Sequence, residues 1–175
     1  MKEWELQEHC QYICAGGKAQ AFKAIAHHTG AIEWDIQNYL ETREVRVDEF
    51  SESLAHLHIC LALCVEFFGI DRNDLDRYLN GIVGGDGAIP IQQRYAAGYS
   101  DEQRNSDAPL EQLQRRSVML TIMLTSFGRS GVVVQDLLMK VLGDIRLGMM
   151  EIVCRFGMDQ KEIEERIDYL LDQDE

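Results

Sequence analysis

Asp48-Glu-Phe-Ser-Glu-Ser-Leu-Ala-His-Leu-His-Ile-Cys-Leu-Ala-Leu-Cys-Val-Glu-Phe-Phe-Gly-Ile-Asp71 is a stretch whose residue pattern recurs 88 positions further along the chain. The second stretch is Asp136-Leu-Leu-Met-Lys-Val-Leu-Gly-Asp-Ile-Arg-Leu-Gly-Met-Met-Glu-Ile-Val-Cys-Arg-Phe-Gly-Met-Asp159. Without a gap, Asp48 meets Asp136 and Phe-Gly-x-Asp ends both stretches. A short acidic segment follows each of them. Repetition at a fixed period predicts an internal duplication of a helical unit. One such unit cannot bury its apolar faces alone, whereas two can close into a bundle.

The hydrophobic pattern predicts an all-α fold. Between residues 49 and 68, apolar side chains recur at helical spacing on two sides, which is typical of a central helix buried by several neighbours. Gly69 and Gly157 are natural helix stops. The predicted helices cover residues 2–15, 18–44, 49–68, 71–82, 110–127, 132–156 and about 159–171.

Three parts are expected along the chain. Residues 1–83 form an N-terminal helical half and residues 109–175 form a C-terminal one. Residues 84–108 are rich in Gly, Gln, Asn, Ser and Asp, which predicts a linker or long loop. Tyr95 and Tyr99 are placed to attach this segment to a surface.

The charge is strongly acidic, with 30 Asp and Glu against 17 Lys and Arg and a net charge of −13. Such a surface repels phosphate backbones, so direct binding of nucleic acid is not expected. Solubility, binding of metal cations and binding of a basic partner protein remain as explanations. No segment has the length and apolarity of a membrane span, and the first residues do not resemble a signal peptide, so we expect a cytoplasmic protein.

Five cysteines suit a chain with reduced thiols. Cys10 and Cys14, like Cys60 and Cys64, have the i, i+4 spacing that places two thiols on one helical face. Core packing is the favoured interpretation, because cysteine is often buried. A four-thiolate site for a soft metal is the alternative.

The segment from Leu142-Gly-Asp-Ile through Phe156-Gly-Met-Asp to the short helix after it resembles the MazG-like all-α nucleotide pyrophosphohydrolases. Residues 132–170 match that family best, and residues 18–80 match it together with the long helix before the repeat. The resemblance implies a helical bundle built from two MazG-like repeats in one chain. One chain would then form what the family usually makes from two subunits, and further association into a homo-oligomer stays open.

The resemblance also implies a chemistry. The family binds a nucleoside triphosphate or diphosphate through Mg²⁺ held by E-x-x-E on one helix and E-x-x-D on the next. Residues three apart share one helical face, so these carboxylates converge inside the bundle. Hard oxygen ligands suit Mg²⁺, which bridges phosphate oxygens and activates a water.

Carried over residue by residue, most of these ligands have changed. The E-x-x-D positions are Ser53 and His56 in the first repeat, and Val141 and Asp144 in the second. If Gly30 marks the glycine within E-x-x-E, His28 and Ala31 stand where the family has glutamates.

The candidate site combines the retained aspartate with nearby groups on the first repeat. Asp144, Glu49, Glu52 and His28 are the predicted Mg²⁺ ligands, and Glu52 and His56 are the predicted catalytic residues. A carboxylate four residues before a histidine can chelate a metal. The favoured alternative has Glu49 and Glu52 as solvated first-turn acids and His56 as a hydrogen-bonded core histidine.

Two functions follow from these observations. The first is a MazG-like nucleotide-binding protein, a divergent Mg²⁺-dependent nucleoside triphosphate pyrophosphohydrolase with an altered site. The second is a catalytically inactive acidic scaffold that binds or inhibits a basic protein. A carboxylate-lined pocket between the long helices favours the first, and an apolar bundle centre favours the second.

Overall fold

A computed structural model describes residues 3–28 and 32–173, and these residues form helices and no strands. The helices are α1 (Glu3–Ala15), α2 (Lys18–His28), α3 (Ile32–Thr42), α4 (Val47–Phe67), α5 (Arg72–Val83), α6 (Ile91–Ala97), α7 (Asp101–Asn105), α8 (Ala108–Ser130), α9 (Gln135–Phe156) and α10 (Gln160–Gln173). The predicted all-α bundle is therefore confirmed. The predicted helix over 18–44 corresponds to α2 and α3, while Gly30 and Ala31 lie outside the described residues.

The prediction of a linker or long loop over 84–108 is wrong for its central part. Residues 91–97 and 101–105 are helical, and α6 packs against α9. Pro90 precedes the first helical residue of α6, a position that proline tolerates because the N–H it lacks would have no partner inside the helix. Ser100 begins α7 with a capping box, in which its side chain and that of Gln103 each accept from the other residue's backbone N–H.

Helix α4 lies at the centre of the first half, as its two apolar sides predict. It packs against α1, α2, α3, α9 and α10. The expectation that no segment has the length and apolarity of a membrane span is wrong for α4, which alone among the described helices is long and apolar enough to cross a membrane, with a mean hydropathy of 1.3. However, 67% of that window is buried in the bundle. Its apolar character is accounted for by its place in the core.

The two halves bury each other through a reciprocal exchange of short helices. Within the first half α2 packs on α4, and within the second half α8 packs on α9. The short helix α5 then packs on α9 of the other half, while α10 packs on α4. Each half therefore supplies a helix that covers the central helix of its partner half.

The repeat of 88 residues extends to the helix ends. Helices α4 and α9 begin at Val47 and Gln135, and α5 and α10 begin at Arg72 and Gln160. Each central helix ends at a left-handed glycine, followed by a backbone hydrogen bond of 3.0 Å, from Ile70 to Val65 in one half and from Met158 to Val153 in the other. Asp71 and Asp159 then each accept a hydrogen bond from the backbone N–H two residues on.

A further pair of equivalent positions departs from ordinary sequence preference. After α3, Arg43 has a φ of 59°, and after α8 its counterpart Gly131 has a φ of 69°. Both amides bond back to the residue four positions earlier at 2.7 Å. An arginine in the left-handed region costs conformational energy that glycine avoids. The backbone nevertheless turns at the equivalent residue in both halves of the chain. These correspondences are what the duplication predicts; common descent of the halves stays a prediction.

Two residues at equivalent positions of the 88-residue repeat contact each other between α4 and α9. His58 Nε2 lies 3.5 Å from Arg146 Nη1, and these residues are 88 positions apart. In an arrangement with twofold symmetry, a residue meets its own counterpart only next to the axis. Burial, together with the positive charge of Arg146, lowers the pKa of His58 to about 3.

Helices α8 and α9 approach closely where α9 has a glycine. A Cβ added at Gly148 would lie 2.8 Å from the Cβ of Leu113, a fully buried residue on α8. Leu113 Cβ is fixed to its backbone and cannot move aside as the end of a flexible side chain can. Gly148 is therefore required by packing rather than by conformation.

We expect Gly148→Ala to destabilise the bundle. Alanine favours a helix over glycine by about 1 kcal/mol, but overpacking a core costs about 1–3 kcal/mol. Gly81→Ala on α5 is the matched control, since the space around Gly81 is open, and it should keep the propensity gain. Urea unfolding of both variants measures the difference, and equal shifts of the same sign would contradict the packing argument.

We also expect the stability to depend on pH through His58. With a folded pKa near 3 and an ordinary value of about 6.5, the unfolded chain binds a proton in this range that the folded chain excludes. The contribution of neutral His58 to the free energy of unfolding is therefore complete above about pH 6.5. It is lost as the pH falls towards 3, by up to roughly 1 kcal/mol per pH unit.

The matched variant for this dependence is His58→Gln, which has no ionisable group at the position. Between about pH 7 and pH 5, the wild type should lose more free energy of unfolding than the variant does. Parallel curves for the two proteins would show that His58 is as readily protonated in the folded chain as in the unfolded one.

Candidate functional site

The two predicted carboxylate ligands on α4 face solvent. Glu49 and Glu52 are exposed, in the first turns of the helix. Glu49 has an ion pair of 3.5 Å with Arg46, and more than 45% of each side chain is accessible. Exposed ion pairs of this kind contribute little to stability. Glu49 and Glu52 therefore agree with the alternative interpretation of them as solvated acids in the first turns of α4.

His28 and His56, by contrast, are brought together between α2 and α4. Their Nδ1 atoms lie 3.0 Å apart, and only 1% of His28 is accessible. The ring of His27 lies alongside, with its centroid 4.9 Å from that of His28 and 6.1 Å from that of His56. Two ring nitrogens at this distance share one proton, because two N–H groups facing each other would repel.

Asp144 lies in the second half, on α9, and has strong partners there. Its Oδ2 atom is 2.9 Å from Arg116 Nε, and its Oδ1 atom accepts a hydrogen bond of 2.6 Å from the hydroxyl of Tyr78. Burial, reinforced by this hydrogen bond, raises the pKa of Tyr78 to about 12. Tyr78 comes from α5, so the reciprocal packing of the short helices supplies one of the groups that hold Asp144.

These two pairs occupy equivalent positions of the two halves. Arg116 follows His28 by 88 residues, and Asp144 follows His56 by the same number. The predicted residues His28 and His56 are thus joined to each other, and Asp144 is joined to a residue that sequence reasoning missed. Arg116 was identifiable as the partner of Asp144 only once the packing of α8 on α9 was known.

A second polar contact lies deeper in the first half. Ser53 donates a hydrogen bond to the buried carboxylate of Asp35 on α3. Burial raises the pKa of Asp35, the hydrogen bond from Ser53 acts in the opposite direction, and the charges of Glu49 and Glu52 raise it further. Ser53 stands at a position where the resemblance to the MazG-like proteins predicts a metal-ligating carboxylate, and here it is a hydrogen-bond donor.

A polar network around the buried carboxylate of Glu151 was not predicted. Glu151 on α9 is 1% accessible and accepts hydrogen bonds from Tyr95 at 2.7 Å, from Tyr99 at 2.8 Å and from Arg155. Arg155 also donates to the backbone carbonyls of Gln103 and Ser106. Burial, followed by the bond to Glu151, raises the pKa of both tyrosines, to about 12 for Tyr99. The expectation that Tyr95 and Tyr99 attach this segment is confirmed.

The thiols gather where α1 packs on α4. Cys10, Cys60 and Cys64 are buried, and Cys14 is partly accessible. Burial raises the pKa of Cys10 to about 12, and burial also raises that of Cys14. The pKa of Cys64 is raised first by its hydrogen bond with Cys60 and then by burial. Protonated buried thiols agree with the core-packing interpretation.

The described residues contain no cluster of side chains suited to binding a hard cation such as Mg²⁺. Within residues 3–28 and 32–173, no group of three or more His, Cys, Asp or Glu side chains is arranged to hold a metal ion. A cleft of about 510 Å³ is lined by Cys14, Lys18, Glu66 and Gln135 among others, and one of about 340 Å³ lies between α2 and α8 beside Arg129. Neither cleft is lined by the predicted ligands.

The centre of the bundle is apolar. Buried residues from α2, α3, α4, α8, α9 and α10 form one hydrophobic cluster, with Leu54 and Leu57 of α4 and Leu142 and Ile145 of α9 fully enclosed. The polar groups described above hydrogen-bond to one another, although the Nη1 atom of Arg155 is buried without a hydrogen-bond partner.

Comparison with known proteins adds no assignment. No protein-family model matches the chain, and no match was found among curated proteins or among solved structures. The likeness to the MazG-like family therefore rests on the quoted motifs and stays a prediction.

Proposed function

We propose that this protein is a MazG-like helical scaffold that does not hydrolyse nucleotides and that acts by binding a positively charged partner protein. The observation that carries the proposal is the pairing of Arg116 with Asp144, at 2.9 Å. The one carboxylate retained at a ligand position of the family already has a cation beside it.

The replacement of ligands supports the absence of hydrolysis. A divalent cation at Asp144 would lie close to the Arg116 guanidinium, and like charges at a few ångströms repel strongly where solvent is limited. Imidazole nitrogens, which His28 and His56 offer, suit transition metals rather than Mg²⁺. Glu49 and Glu52 are exposed on the outside of α4, where they are free to be solvated.

The acidic face of α10 is the surface that fits a basic partner. Its buried side consists of Ile163, Ile167 and Leu171, which dock on the core. On the opposite side Glu162, Glu165 and Asp172 are exposed, and Glu165 has an exposed ion pair of 3.7 Å with Lys161. With a net charge of −13 over the chain, this face attracts a positively charged protein and speeds its association.

We expect no nucleotide turnover above background. A panel of ribonucleoside and deoxyribonucleoside triphosphates with Mg²⁺ should release pyrophosphate or phosphate at the same rate from wild type and from Asp144→Ala. The alternative function, a divergent pyrophosphohydrolase, uses Asp144 with Glu49, Glu52 or His56, and Arg116 is a suitable ligand for nucleotide phosphate. Mg²⁺-dependent release that Asp144→Ala abolishes would establish that alternative instead.

We further expect α10 to direct binding of a basic polypeptide. A labelled poly-L-lysine peptide is the probe, and fluorescence anisotropy is followed as salt rises. The triple variant Glu162→Lys, Glu165→Lys, Asp172→Lys should weaken binding about tenfold or more, and added salt should weaken the wild type.

The control carries the same change of charge at other exposed acids, namely Glu102→Lys, Glu111→Lys and Asp136→Lys. It should weaken binding much less than the α10 variant does. Equal losses for the two triple variants would mean that binding follows net charge alone, and an affinity independent of salt would remove the electrostatic surface altogether.

A further inference from the structure

The structure assigns a transition-metal site to His28 and His56, and we infer that the chain binds one borderline divalent ion of the copper(II) or nickel(II) type there. The first observation is the meeting of two Nδ1 atoms, from neighbouring helices, at 3.0 Å. This inference is independent of the proposed function, because it concerns only the histidines of the first half.

The distance between the two nitrogens suits a shared metal ion. With metal–nitrogen bonds of about 2.0–2.1 Å, a separation of 3.0 Å corresponds to a nitrogen–metal–nitrogen angle of roughly 95°. That angle is close to the right angle between neighbouring ligands in square-planar or tetragonal copper(II) and nickel(II) sites.

The protonation of the pair also favours a metal. In the hydrogen-bonded state the two nitrogens hold one proton between them. A divalent ion gains both Nδ1 lone pairs once this proton has moved, to the Nε2 atom of the same ring in the neutral pair or to solvent in the protonated pair. Affinity should therefore fall as pH falls, because protons compete with the metal for the same nitrogens.

The helices fix the geometry before any ion arrives. His28 is 1% accessible and lies on α2, which packs along α4, the helix that carries His56. Side chains held by packing bind metal without a large cost of ordering. His27, whose ring lies beside that of His56, is exposed, and His56 itself is partly accessible.

The second half supplies an internal contrast. At the equivalent positions Arg116 and Asp144 stand in place of His28 and His56, and a guanidinium is a cation that cannot ligate a metal through a lone pair. The pseudo-symmetric chain should thus bind a single ion rather than two. The stoichiometry is a direct consequence of the asymmetry between the halves.

The test is a titration of the untagged chain with Ni²⁺ by calorimetry, with His28→Gln and His56→Gln as site variants. Loss even of an outer-shell partner costs metal affinity roughly 10- to 100-fold, so either variant should lose at least about tenfold. His58→Gln, on the same helix as His56, and Cys14→Ser, at the partly accessible thiol, are the controls that should retain one equivalent of Ni²⁺.

A spectroscopic measurement keeps the test decisive if a site variant fails to fold. Wild type loaded with one equivalent of Cu²⁺ should show coupling to two imidazole nitrogens by electron paramagnetic resonance. Equal Ni²⁺ affinity for wild type and both site variants would overturn the assignment. A copper spectrum without imidazole nitrogen, or Ni²⁺ binding that only Cys14→Ser removes, would overturn it as well.

Discussion

The docking of each short helix on the other half's central helix is the constraint on which the rest of this structure depends. An amphipathic hairpin of α2 and α4 leaves one side of α4 uncovered, and the hairpin of α8 and α9 leaves the same side of α9 uncovered. α10 covers the first and α5 covers the second. Because hydrophobic burial is the dominant favourable term in folding, neither half keeps its apolar surface from water without the other.

This constraint also sets where polar groups lie. His58 and Arg146, which are 88 positions apart, contact each other between α4 and α9, and other polar positions also occur in pairs 88 residues apart. One pair of equivalent positions holds two imidazoles in the first half, those of His28 and His56. In the second half it holds the ion pair of Arg116 and Asp144, and Asp144 also accepts a hydrogen bond from a tyrosine of α5. Equivalent places can therefore carry different chemistry, provided that each is satisfied locally.

Much of the fold was predictable because its signals are local. Glycine at residues 69 and 157, each with an aspartate two positions on, marks the end of one helix and the start of the next, and the structure has both features at both places. The two-sided apolar pattern of α4 correctly indicated a central helix. Such signals depend on residues within one or two turns, which a sequence displays directly.

The parts that sequence reasoning missed depend on tertiary contacts. Segment 84–108 has weak periodicity, and its helices are held by Tyr95 and Tyr99, whose partner Glu151 lies more than fifty residues further on. Glu151 and Arg155 have the spacing of an ordinary solvated i, i+4 pair, which hides their burial. Asp144 was identified as a candidate, but its partner Arg116 depends on the register between α8 and α9, which no local signal specifies.

The pairing of polar groups explains how this bundle can bury polar side chains without the destabilisation that a cluster of unpaired carboxylates would cause. Four carboxylates converging inside a bundle repel one another, and burial of each costs several kcal/mol unless a cation compensates it. Here an arginine compensates Asp144, Ser53 donates to Asp35, and the two histidines hold their proton in common. The charge balance that a bound cation would provide is built into the side chains, so the fold itself makes no demand for a metal. A metal at the histidine pair would then be an added function of the bundle rather than a condition for folding.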